Sequence, residues 1–87
     1  MKRLTVRKDD QWELIVGVEL NDAIERLAEY EEFQAKMLAS QAEIVEELAK
    51  LRAEGKEKTV QYRELFTKKL LTNNVLAFLR YHGIKED

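Results

Sequence analysis

The chain has no cysteine and no proline, and its 87 residues include three glycines, one histidine, one tryptophan and one serine. Without cysteine there is no disulfide framework and no thiolate metal site. One histidine leaves a multi-histidine metal site to several subunits acting together. The serine, Ser40, lies inside an amphipathic run, so no Ser–His–Asp or Cys–His arrangement can form, and no glycine-rich phosphate loop is present. The glutamates follow the polar back of a helix, which is the pattern of a solvated face. The expectation is therefore a protein that is not an enzyme, with no catalytic residue, no metal and no cofactor. The opening MKRLTVRKDD lacks the apolar run of a signal peptide. No window reaches the roughly 18 apolar residues of a membrane span. A cytoplasmic protein without membrane contact is expected.

What is present suits a helical protein: 45% of residues are hydrophobic and 37% charged. A chain of this length is expected to form a single domain, 1–87, near the lower limit for a self-sufficient core. The net charge of −2 is unevenly spread. Residues 1–18 carry four basic and three acidic groups, residues 19–54 four and ten, and residues 55–85 seven and two. An acidic middle thus meets a basic C-terminal part. Mutual attraction between segments of neighbouring chains, together with solubility, explains this better than nucleic-acid contact, because the whole chain is not basic.

The organising stretch runs from Leu20 to Glu54. With Ile24 at heptad position a, that position repeats as Glu31, Leu38 and Val45. Position d holds Leu27, Gln34, Gln41 and Leu48; position g holds Tyr30, Met37, Ile44 and Leu51. Position e is alanine throughout: Ala28, Ala35, Ala42 and Ala49. Positions b, c and f are mostly charged, with Phe33 an exception at c. A two-stranded coiled coil needs only a and d; a front spanning g, a, d and e can take more than one neighbour. The alanines allow close approach of a second backbone.

Asn21 or Asp22 is the expected N-cap, and Gly55 the left-handed residue after the end. Thirty-five residues make a rod of roughly 50 Å, against a width of roughly 30 Å for a compact domain of this size. The rod either folds into a hairpin near Ser40 or is covered by another chain. The absence of a break signal favours the second. The expected oligomer interface is Ile24, Leu27, Ala28, Gln34, Ala35 and Leu38, continuing through Gln41, Ala42, Val45 and Leu48. The two glutamines would set register or oligomeric state.

Residues 1–18 predict a β-hairpin, with strands over 3–8 and 11–18 and a turn at Lys8-Asp9-Asp10. Trp12 is the expected anchor beneath a covering element. After Gly55, residues 59–84 predict a strand or helix entry at Thr59–Tyr62 and then a helix–turn–helix-like pair broken at Thr72-Asn73-Asn74. At the end, Gly83 as C′ would place Leu79 and Ile84 in a Schellman cap. The fold class is mostly α with a small N-terminal hairpin (α+β): one long amphipathic helix and two short ones in an oligomeric bundle. Arg63, Lys68, Lys69 and Arg80 are the candidate anion or nucleic-acid contacts, though the last helix holds its polar tips at the wrong end for base reading.

The segments MKRLTVR and AIERLAEYEE, with GKEKTVQYRELFTKKLLTNNVLAFLRYHGI, resemble small accessory proteins encoded by phages and prophages of Gram-positive bacteria. The resemblance covers well over half the chain. It departs from the pattern where EFQAKM replaces the Asp-Thr-Gly turn that often follows Leu-Ala-Glu-Tyr-Glu. The resemblance implies a mobile-element origin and a small accessory protein, in the host cytoplasm if phage-encoded, with countering a host defence system as a use. Taken with the apolar front of the rod, the expectation is a homo-oligomer that binds a host or phage protein. Two alternatives are a nucleic-acid-binding accessory factor and an oligomer that sequesters a small anionic or nucleotide ligand between subunits.

Overall fold

The structure, a computed structural model, describes residues 1–86. Strands β1 (Thr5–Lys8) and β2 (Gln11–Leu14) precede two helices, α1 (Leu20–Ala53) and α2 (Val60–Tyr81). The chain divides into two compact units, residues 1–32 and 33–87, and α1 contributes to both.

In the first unit, β1 and β2 pair antiparallel, with Lys8 opposite Gln11 and Thr5 opposite Leu14. The two-residue loop, Asp9 and Asp10, has φ of 49° and 66°. Two positive φ values mark the type I′ turn, whose twist matches that of the strands. The ladder continues through Ile15 N–H to the Leu4 carbonyl at 2.8 Å. The second strand stops at Leu14 rather than at residue 18. A turn closes there from Val18 N–H to the Ile15 carbonyl at 3.0 Å, with Gly17 at φ 91°.

The hairpin register corrects the expectation for Trp12. A two-residue turn pairs even positions with odd ones, so Val6 lies opposite Glu13, and Arg7 opposite Trp12. Successive side chains alternate between faces. Leu4, Val6 and Ile15 therefore share one face and are half-buried. Trp12 and Leu14 share the other, and Trp12 is 56% exposed.

α1 is unbroken at Ser40. It starts one residue earlier than the expected caps require. The Glu19 carbonyl accepts from Asp22 and Ala23 N–H at 3.1 and 3.4 Å, so Asn21 and Asp22 lie inside the first turn. The helix closes in a Schellman motif: Lys56 N–H reaches the Leu51 carbonyl at 2.8 Å and Gly55 N–H that of Arg52 at 3.1 Å. Gly55 holds the left-handed conformation this needs, at φ 72°.

The reversal is achieved there and not inside the rod. Thr59 then caps α2, its hydroxyl accepting from Tyr62 N–H at 3.2 Å. Residues 59–62 are thus a helix entry. The expected pair of C-terminal helices is instead one helix of 22 residues. Thr72-Asn73-Asn74 lies within it, because nothing in that triplet forbids helical φ and ψ and two of its side chains face α1. The C-terminal cap forms as expected, with Ile84 N–H on the Leu79 carbonyl at 2.8 Å.

In the second unit α1 and α2 pack antiparallel. Gln34, Met37, Gln41, Ile44, Leu48 and Leu51 line α1; Tyr62, Leu65, Lys69, Thr72, Leu76 and Leu79 line α2. Each set steps by alternating three and four, and every member is buried or half-buried. That is the seam of a two-stranded coiled coil. Leu48 is 2% and Leu76 1% exposed. Across the seam Gln41 Nε2 donates to Asn73 Oδ1 at 2.8 Å, and Arg52 Nη2 donates to Tyr62 Oη at 2.8 Å.

Candidate interaction surface

The seam uses positions d and g of the heptad on α1, and this divides the expected interface residues. Gln34, Gln41 and Leu48 are covered within the single chain. Gln34 Nε2 donates to the Lys85 carbonyl at 3.2 Å, Gln41 is bonded to Asn73, and Leu48 is buried. The two amides are thus satisfied by α2 and the tail behind it. Leu38 is half-buried beside the seam. Ala35, Ala42 and Val45 lie on the free flank of α1 in the second unit and are exposed. In the first unit Ile24, Leu27 and Ala28 are exposed on the N-terminal half of α1.

Sequence reasoning missed the outer face of α2. Once the helix is continuous, a second stripe appears opposite the seam, through Val60, Thr67, Leu70, Leu71, Phe78 and Tyr81. Phe78 is 67% and Tyr81 83% exposed. A shallow groove of about 290 Å³ lies among Asn74, Ala77, Phe78 and Tyr81. Another, of about 270 Å³, is lined by Val60, Arg63, Glu64 and Thr67. The signal was in the sequence but was hidden by splitting the helix at Thr72: half of the stripe then reads as a face for docking on the rod.

In the first unit the exposed hairpin face presents Trp12 between two guanidinium groups. Arg3 and Arg7 stand 5.2 and 5.5 Å from the ring centroid. A groove of about 500 Å³ lies on the hairpin's other side. Met1, Arg3, Leu4 and Thr5 line it from the hairpin, and Ala23, Arg26, Leu27 and Tyr30 from α1. Arg26 Nη1 closes one edge by donating to the Lys2 carbonyl at 3.0 Å.

The four candidate anion contacts do not converge. Lys69 lies in the seam, half-buried, with its ammonium 5.7 Å from the Phe66 ring. Arg80 is hydrogen-bonded to the Glu86 carboxylate. That bond raises the Arg80 pKa and lowers that of Glu86. Arg63 borders the outer stripe, and Lys68 projects from a different side of the helix, five residues on. Residues spaced this way around a helix give no common face. Among the described residues no group of three or more His, Cys, Asp or Glu could hold a metal ion, and no helix is long and apolar enough to cross a membrane. No family model, curated protein or solved structure matches the chain.

Proposed function

We propose that this chain is an interaction protein that self-associates through its exposed helix faces and acts by occupying the surface of a partner macromolecule. One observation carries the reading. Among the described residues four apolar side chains are buried, while seventeen large ones are exposed.

The resemblance to phage and prophage accessory proteins supports a mobile-element origin, and countering a host defence system is the use that fits such a protein. A role as an obstructing partner needs surface rather than catalytic groups. Dispersal of Arg63, Lys68, Lys69 and Arg80 makes nucleic acid the weaker partner class. Sedimentation equilibrium at micromolar concentration tests the reading. A mass of at least twice 10.3 kDa is expected, and a monomer throughout would overturn it.

A further inference from the structure

We infer that the outer face of α2 is a dimerisation surface, on which two copies pack antiparallel about a two-fold axis passing between Leu70 and Leu71. This rests on the self-association proposed above and specifies its interface.

The argument is one of self-complementarity. A two-fold axis at the midpoint of residues 70 and 71 exchanges position 60 with 81, 63 with 78, 64 with 77 and 67 with 74. Those are the linings of the two grooves: Val60, Arg63, Glu64 and Thr67 at one end, and Tyr81, Phe78, Ala77 and Asn74 at the other. Residue i of one copy then meets residue 141 − i of the other and the reverse, which is the reciprocal pairing of an isologous contact.

The paired chemistry also fits. Tyr81 of one copy meets Val60 of the second. Phe78 presents its ring to an arginine, a cation–π pairing. Asn74 faces the Thr67 hydroxyl, so these two polar side chains have each other as partners. Ala77 leaves room for Glu64, and Leu70 packs against Leu71 at the centre. A parallel arrangement would set Arg63 against Arg63 and Glu64 against Glu64, and like charges directly opposite are unfavourable.

A second copy is favoured as occupant because the pairings are reciprocal, so one face supplies both halves of the contact, and α2 offers more apolar surface for it than α1 does. A helix of 22 residues is about 33 Å long and carries its apolar side chains along that whole length. The flank of α1 in the same unit offers mainly alanine methyls around Val45, a smaller apolar area.

The test uses the full chain, which has no cysteine of its own. The double variant Thr67→Cys/Asn74→Cys should oxidise to a covalent dimer, while each single variant should not. Residues 67 and 74 are two turns apart on one helix, about 10 Å, too far to bridge within a chain. Phe78→Glu should weaken dimerisation by at least about tenfold with helicity by circular dichroism unchanged. Efficient cross-linking of either single variant would mean a parallel or different contact and overturn the inference. A dimer whose mass is indifferent to Phe78→Glu, and which the double variant fails to cross-link, would also overturn it while leaving self-association standing. A monomer at every concentration would overturn both.

Discussion

Leu48 and Val45 are three residues apart on α1 and have opposite fates. Leu48 is buried in the seam against α2, while half of Val45 is exposed on the flank. Leu48→Ala should therefore lower the unfolding free energy by about 2–5 kcal/mol. Val45→Ala should cost well under about 1 kcal/mol in the isolated chain, because little of its surface is removed from water. Urea denaturation of both variants checks the contrast. Gln41 and Asn73 supply the polar link of the same seam. Gln41→Ala should cost about 1 kcal/mol, the net value of a typical hydrogen bond. A double-mutant cycle with Asn73→Ala should show the two changes to be non-additive.

The C-terminal tail should respond to pH. The Arg80 hydrogen bond holds the Glu86 carboxylate below its ordinary 4.5. A carboxylate with a depressed folded pKa stabilises the folded state above its unfolded pKa, and that contribution is lost as pH falls through the folded value. The Ile84–Glu86 segment should loosen on acidification below about pH 4.5 and should already be loose at neutral pH in Glu86→Gln. Amide chemical shifts of residues 84–86 followed through an acid titration would report it.

Among the elements, the hairpin is the most open to improvement. Asp9 and Asp10 both adopt positive φ, a conformation that Asn-Gly accepts more readily. Asp9→Asn/Asp10→Gly should stabilise the hairpin by up to about 1 kcal/mol, the relief of left-handed strain at position 10 outweighing the entropy glycine adds to the unfolded chain, seen as slower exchange of the β1–β2 amides. The position of this turn was legible from its polar residues. The fate of Trp12 was legible too, once the loop length was fixed: an even–odd pairing puts Leu4 and Trp12 on opposite faces. The caps at Gly55 and Gly83 were readable because only glycine takes their φ without strain.

The continuity of α2 was not readable from local propensity. Thr, Asn and Asn are turn formers as a triplet. What overrides them is tertiary: Thr72 is buried against α1 and Asn73 bonds Gln41. The same override explains the glutamines of α1. Their place in an apolar stripe marked them as needing partners, but whether those came from another copy or from α2 depended on which two of the four front positions α2 would cover. With d and g taken, the alanines of position e and the valine of a remain outside.

At the scale of the whole molecule, the preponderance of exposed over buried large apolar side chains is the dominant fact. Two helices sharing one seam bury one side of each, and neither has a polar opposite side throughout. α2 in particular is apolar front and back, which is the pattern of a helix with neighbours on both sides. A single copy supplies one of them. Variants of the buried seam should lower stability at any concentration, whereas variants of the outer stripe should lower it only where the oligomer is populated.

The most direct measurement is the midpoint of thermal unfolding as a function of protein concentration. Association that favours the folded state makes this midpoint depend on concentration by mass action. Over a roughly hundredfold range the account predicts a midpoint that climbs steadily with concentration. A midpoint that stays constant across that range, with the chain fully folded at the dilute end, would contradict it.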